Sequence, residues 1–333
     1  MVELIEFLVL KEPRYVWADK SYSIDLIDIY SLKKQVFQGD IPDLSSYFKE
    51  KSSERRDIFV VPHDAGYWDS DYIIYINELA RFHRIVYFDR GDVPSRRIIH
   101  NSFKLQNAKP PTHKTKSVII PYNITDLSQI PFRALRKIPS VSFAGFVPKL
   151  TVSRLMPRTF RSLIHPFQSN GMLIRKFGLR ELAKMSDGNF SQVNTIVRSH
   201  YGGAQSLISN LELFREEYTN SIAVSDLIFS PRGDANASQR FYEALSCGRI
   251  PIVPNSSMVF PKLTSDSWDS LYLSVNTFST NISSKLHTYW SDLSTRTFVE
   301  IQQRIRSIYQ AELDYRKFLH KLFSHSNFDF HLQ

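Results

Sequence analysis

The chain of 333 residues holds one cysteine, Cys247, which excludes an internal disulfide framework. That cysteine stands beside Gly248 after a short helical pattern, the place of a small packing residue and not of a catalytic thiol. Glycine is scarce, at 11 residues, while 42% of the chain is hydrophobic, so an ordinary globular protein is expected and disorder is excluded. No stretch approaches the roughly 18 consecutive apolar residues that span a bilayer. The opening Met1-Val-Glu-Leu-Ile-Glu-Phe-Leu has no basic flank, and Glu3 and Glu6 interrupt its apolar run, so it does not read as a signal peptide. A cytoplasmic protein is the expectation. There is no internal repeat and no zinc, RRM or KH signature. Asp69-Ser-Asp71 has the spacing of a metal-binding pair but reads as the cap of the following helix, so neither a metal nor another cofactor is expected.

Acidic residues are outnumbered, and the net charge is +9. Such a balance suits nucleic acid, an anionic membrane surface or an anionic substrate. The charge is not gathered into one arm. Its clusters at 133–137, 304–306 and 316–321 read as solvated helix faces. The 24 Phe and 16 Tyr follow core periods, which argues against nucleic acid as the partner. Peripheral attachment to the inner face of a membrane bearing a lipid-linked substrate is compatible with the charge.

Apolar runs at 57–61, 84–88 and 117–120, with a helical period over 72–82, give the strand–helix alternation of a parallel sheet. Residues 101–116 are polar and contain Pro110-Pro111, so they read as a loop. A linker is expected over 122–139. A second domain then begins at the strand 141–143. It continues through helical material at 158–175 broken near Ser169-Asn-Gly171, a strand at 194–197, and a helical period at 206–220. A further strand is expected at 271–275 and long helices over 293–323. The expected domains are residues 1–135, residues 136–290, and C-terminal helices 291–333 packing across both.

Residues 226–254 carry the most chemistry. The apolar run Leu227-Ile-Phe229 ends in Pro231-Arg-Gly, a short helical pattern follows, and Gly248 precedes a second apolar run, Ile250 to Val253. Ser238, Asn236 or Asp234 can cap the helix. Phe241, Ala244 and Leu245 mark its buried face. A helix N-terminus carries free N–H groups and partial positive charge, which favour phosphate. Arg232 and Arg240 add forked donors, and Gly233 lets backbone approach a ligand closely. Glu243, one turn along, is spaced to accept hydrogen bonds from sugar or ribose hydroxyls. The same spacing also fits a plain strand–helix–strand unit with a solvated arginine pair.

The words of this segment decide between those readings. Pro231-Arg-Gly, Ser238-Gln-Arg-Phe-Tyr-Glu-Ala-Leu and Gly248-Arg-Ile-Pro-Ile-Val resemble in order the signature of the exostosin family, glycosyltransferase family 47. The approach through Glu217-Tyr218, Ser221 and Ser225 is similar too, as are Val141-Ser-Phe-Ala-Gly145, Ser117-Val-Ile-Ile-Pro121 and Asp57-Ile-Phe-Val-Val-Pro62. Ser117-Val-Ile-Ile-Pro121 departs from the family, with serine where the family has aspartate. The resemblance implies an α/β protein of GT-B type, two Rossmann-like domains facing each other across a cleft. It implies an inverting transfer from a nucleotide-sugar donor, a UDP-sugar being expected, to a hydroxyl of a glycan or lipid-linked acceptor in polysaccharide biosynthesis.

On that reading Arg232, Gly233, Ser238 and Arg240 hold the diphosphate and Glu243 the hydroxyls, because the leaving group's charge needs stabilising. Arg198, opening the loop Arg198-Ser-His200-Tyr-Gly-Gly203, is a further donor-site residue. The acceptor hydroxyl needs a base within reach. His63 and Asp64, in the loop Pro62-His-Asp-Ala-Gly-Tyr67-Trp68-Asp69 at a strand's carboxyl end, are the candidates, with Tyr67 or Trp68 stacking on a sugar. The loop 88–92 is a second place for the base. The rival readings are a basic nucleic-acid-binding protein and a homologue that binds nucleotide or glycan without catalysis.

Overall fold

The computed structural model describes residues 14–17, 20–27, 32, 35, 38–39, 43–53, 58–63, 70–89, 102–106, 117–147, 171–187, 191–198, 211–233, 237–256 and 258–324. The chain divides into two compact units, Met1–Pro121 with Tyr315–Gln333, and Tyr122–Asp314.

The first described elements of the first unit are β1 (Arg14–Trp17) and β2 (Lys20–Leu26), an antiparallel pair with Trp17 opposite Lys20. Helix α1 (Leu44–Ser53) follows, then β3 (Ile58–His63), α2 (Ser70–Leu79), β4 (Arg84–Asp89), β5 (Ser102–Gln106) and β6 (Ser117–Ile119). The sheet runs β1-β2-β3-β4-β5-β6, and every pair after the first is parallel. Asp43 starts α1 by accepting from the Ser46 amide at 2.7 Å and the Ser46 hydroxyl at 3.0 Å. Those bonds hold its carboxyl below the ordinary carboxylate value. Phe48 of α1 stacks on Tyr75 of α2 at 5.3 Å and joins Ile76, Leu79 and Ile85 in the core.

The 101–116 region is not all loop. Ser102-Phe-Lys-Leu-Gln106 alternates apolar and polar residues, and it pairs on both sides, with β4 and with β6. Period-two alternation is a strand signal that the nearby prolines concealed.

The second unit contains β7 (Ser140–Phe146), α3 (Gly171–Asp187), β8 (Gln192–Arg198), α4 (Leu211–Ala223), β9 (Leu227–Phe229), α5 (Gln239–Ser246), β10 (Ile250–Pro254) and β11 (Leu273–Val275). Helices α6 (Ile282–Ser291) and α7 (Thr295–Ile308) and a π-helical turn, Tyr309–Leu313, complete it. The sheet order is β11-β10-β9-β7-β8, with all pairs parallel. This is a doubly wound order whose direction reverses between β7 and β9. Such a switch point opens a crevice at the carboxyl ends of the strands. The expected α/β class and the expected pair of parallel-sheet units are both present. A last helix, α8 (Tyr315–Ser324), belongs to the first unit and packs on β1.

The segment 122–139 is no free linker. Leu127 and Ile130 pack with Ile222, Ile228, Ala244 and Cys247. The Arg133 amide donates to Gln302 Oε1 at 2.9 Å, and Gln302 Nε2 donates to the Arg133 carbonyl at 2.8 Å. The break read at Ser169-Asn-Gly171 is likewise the start of a helix. Gly171 opens α3, and a Cβ there would collide with the Gly233 carbonyl.

Helix α5 is buried from Phe241 to Ser246. It packs against β9, β10, α7 and the π turn. Gly248 ends it in the left-handed region at φ +72°. The Arg249 amide reaches back to Ala244 O at 2.8 Å and the Gly248 amide to Leu245 O at 3.0 Å, the paired bonds of a Schellman cap. Arg249 is then buried at 1% exposure, its guanidinium donating to Pro131, Ala223, Ile222 and Cys247 carbonyls and to Gln302 Oε1. Five acceptors satisfy the planar donor set of a guanidinium that burial would otherwise penalise.

Candidate functional site

The residues of the 226–254 segment divide into those that build the crevice and those that line it. Asp226 builds. It is fully buried, accepts from Arg133 Nε at 2.5 Å, and takes the Ser140 amide at 2.8 Å and the Ser140 hydroxyl at 2.7 Å. Those bonds lock the amino ends of β7 and β9 together, so the switch point at their other ends is held in register.

At the carboxyl ends the chain turns through Pro231-Arg232-Gly233. Arg232 is buried at 3% exposure, with Nη1 donating to Ser256 O at 3.3 Å and Nε to Gly233 O at 3.3 Å. It therefore ties the loop after β9 to the loop after β10. Arg175, on α3, reaches the same place: Nη1 donates to Phe146 O at 2.9 Å and Nε to Arg232 O at 3.3 Å. It spans the carboxyl ends of β7 and β9. Sequence reasoning missed it. An arginine one turn inside a helix looks solvated until the strand order puts that helix over the switch point.

Arg240 lies over the carboxyl half of β7. Its Cζ sits 4.5 Å from the Phe143 ring centre, a cation–π placement. Its Nη2 occupies the space where residue 145 would carry a Cβ, and Cζ is 3.2 Å from that point. Arg240 Nε is buried and has no hydrogen-bond partner among the described residues. Ser238 occupies the N-cap of α5 in an extended conformation, φ −139°, ψ 119°, yet its side chain makes no capping bond. The first-turn amides of α5 are thus left without a side-chain cap from Ser238.

Glu243 is 8% exposed, not on a solvated face. Its Oε2 accepts from the Tyr218 hydroxyl of α4, and its Oε1 accepts from Gln239 Nε2 at 3.3 Å. Burial raises its carboxyl above the ordinary value, while Tyr218, Arg240 and Gln239 pull it back. The Tyr218 phenol is pushed well up by its own burial and by the Glu243 charge, opposed by Arg240. The structure therefore joins Tyr218 to Glu243 by a hydrogen bond and sets the Arg240 charge near both, two residues along from Ser238. Chemically, that group offers two cationic or N–H donors to an anion and one carboxylate to hydroxyl groups.

Arg198 does not join this group. It ends β8, forms an ion pair with Glu217 and lies 4.2 Å from the Phe214 ring centre, so α4 holds it. His63 ends β3 in the first unit. Asp64, Tyr67, Trp68, Asp69, Asp92 and His200 lie outside the described residues, as do Asp234 and Asn236. Among the described residues no group of His, Cys, Asp and Glu is placed to hold a metal ion. Among them too, no helix is long and apolar enough to cross a membrane.

No protein-family model matches the chain, and no curated protein does. Solved structures with a similar trace include a glycosyltransferase from Rickettsia africae ESF-5, with TM-score 0.47, 11% identity, and 96% of this chain and 91% of that chain covered. TarM aligns with TM-score 0.37 and 10% identity, over 96% of this chain and 56% of its own. The catalytic domain of starch synthase IV from Arabidopsis thaliana, bound to ADP and acarbose, aligns with TM-score 0.39 and 11% identity, over 84% of this chain and 75% of its own. Likenesses of this size carry no activity to this chain. Its α/β architecture rests on its own strand order.

Proposed function

We propose that the chain is a glycosyltransferase of GT-B type that moves a sugar from a nucleotide-sugar donor to a hydroxyl acceptor. One observation carries the reading: Arg240, with a buried Nε that has no partner among the described residues, lies at the carboxyl end of β7 beside the start of α5. A diphosphate placed there meets a guanidinium and helix N–H groups together, and developing negative charge on it is stabilised. Glu243 then accepts the hydroxyls of the nucleoside ribose, and Arg175 and Arg232 hold the crevice walls. The motif words at 231–253 support the finer reading, an inverting enzyme of exostosin type using a UDP-sugar on a glycan or lipid-linked acceptor. His63 and Asp64 are the proposed bases for the acceptor hydroxyl, and no metal is required by the residues proposed.

The test is a titration of the purified protein with UDP, GDP and ADP, followed by thermal stabilisation and by nucleoside diphosphate release from the corresponding nucleotide sugars. Binding of at least one is expected. Arg240→Ala is expected to lower kcat/KM by about 100-fold, the typical loss of one preorganised charge-stabilising donor, with the fold intact. Indifference to all three nucleotides, or full turnover in Arg240→Ala, would overturn the proposal.

A further inference from the structure

Tyr218 belongs to neither α5 nor the loops of the switch point. It comes from α4, and its ring packs against the cluster of Leu127, Ile130, Ile222 and Ile228. A purely structural tyrosine there needs only that ring. Its hydroxyl does more. It donates to Glu243 Oε2, and the Arg240 charge stands close enough to pull the phenol's pKa down. A cation beside a phenol makes its hydroxyl a better donor to a carboxylate.

Resting on the donor reading above, we propose that Tyr218 is a positioning residue: it fixes the Glu243 carboxylate for a ribose 2′,3′-diol, near the arginine that meets the diphosphate. Gln239 steadies the other carboxylate oxygen, Oε1, at 3.3 Å. Each oxygen keeps a lone pair, so two adjacent hydroxyls can be received at once. A 2′-deoxyribose fills only half of that capacity.

The groups facing Glu243 are Tyr218 from α4, Arg240 and Gln239 from α5, and Tyr309 from the π turn, whose phenol is influenced by the Glu243 charge. Burial raises the carboxyl, and the Tyr218 hydroxyl is the first of the groups that lower it. Without that hydroxyl the carboxyl protonates at higher pH. Binding that needs the carboxylate is lost as pH falls through its value, so the acid limb moves upward in pH.

The experiment is calorimetric titration of the full chain and of Tyr218→Phe with UDP, GDP and ADP and with their 2′-deoxy forms, from pH 5 to 8. The unaltered chain is expected to prefer the ribo form. Tyr218→Phe keeps the ring and is expected to lose about ten-fold in affinity for the ribo form, the scale of one charge-assisted hydrogen bond. It should lose less toward the 2′-deoxy form, whose 3′-hydroxyl alone meets the carboxylate, and its acid limb should shift upward. Equal losses for both forms, or an unmoved acid limb, would overturn the role of Tyr218 while leaving the donor reading in place. Failure of the unaltered chain to bind any of the six nucleotides would overturn the donor reading, and this inference with it.

Discussion

The Arg240 guanidinium lies over the Phe143 ring in space that exists because residue 145 is glycine. The backbone at Gly145 is an ordinary strand, paired with Val197, so alanine is acceptable to it locally. A methyl group there collides with Arg240 and not with backbone. The arginine side chain, being the flexible partner, moves. Gly145→Ala is therefore expected to melt within a few degrees of the parent, about the shift of a sub-1 kcal/mol change, while nucleotide affinity falls about ten-fold for one misplaced charged donor. Melting curves and UDP titration on the same variant check this. Unchanged affinity would remove Arg240 from the anion site.

Glu243 opposes folding for the same reason it suits a ligand. Its folded carboxyl is raised, chiefly by burial. Between the unfolded value and the folded one, the native chain holds the extra proton. Stability therefore falls as pH rises through that window, and the cost is complete above it. Glu243→Gln has no charge to bury and keeps an oxygen for Tyr218. It is expected to melt no lower than the parent at pH 8, with its advantage shrinking toward pH 5, and to bind nucleotide at least about ten-fold more weakly. Melting temperature against pH for both chains is the measurement. A variant less stable at pH 8 than the parent contradicts the assignment.

The strand–loop–helix–strand of 226–254 was legible because its signals are local: a buried apolar run, a proline-glycine turn, a short helical period and a glycine stop. Arg232 and Glu243 were found by type, yet their burial was not, because α5 is covered by α7 and the π turn from far along the chain. Arg175 and Tyr218 were invisible as site residues for a related reason. Each stands on a helix whose own pattern is ordinary, and only the order β9-β7-β8 brings α3 and α4 to the crevice. The pair β1–β2 and strand β5 escaped because short strands are defined by partners more than by their own residues. The role of segment 122–139 depends on Gln302, far away in sequence, whose side chain answers the backbone of Arg133.

The Arg133–Asp226 pair makes the switch point sensitive to a residue remote from any ligand. Asp226 is fully buried, and Arg133 is its cationic partner at 2.5 Å. Removing the arginine leaves a buried carboxylate with only the Ser140 bonds, at a cost of about 3 kcal/mol. Arg133→Ala is expected to lower the denaturation midpoint accordingly. Arg133→Ala combined with Asp226→Asn should recover much of the loss, because the uncompensated charge is gone. Urea titration of the three chains decides it; an equal loss in the double variant would show that the arginine acts through its packing alone.

Cys247 reports on the opening of this unit. Burial pushes its thiol up to about 11, with Arg249 and Arg306 pulling the other way. It is enclosed by Ala244, Ile228 and Leu127 under the end of α5. At pH 7.5 the native thiol is almost wholly protonated and out of reach, and the thiolate is the nucleophile. Iodoacetamide or a disulfide reagent is therefore expected to leave the folded chain unlabelled over minutes, and to label one thiol per chain in guanidinium. Slow native labelling then measures the open population. A nucleotide that binds only the closed form, present at about 100 times its Kd, lowers that population about 100-fold. UDP, or whichever nucleoside diphosphate binds, should slow the labelling by that factor, and the protection should vanish in Arg240→Ala. Rapid labelling of the folded chain, or protection that persists without Arg240, contradicts the placement of α5 as the floor of the donor site.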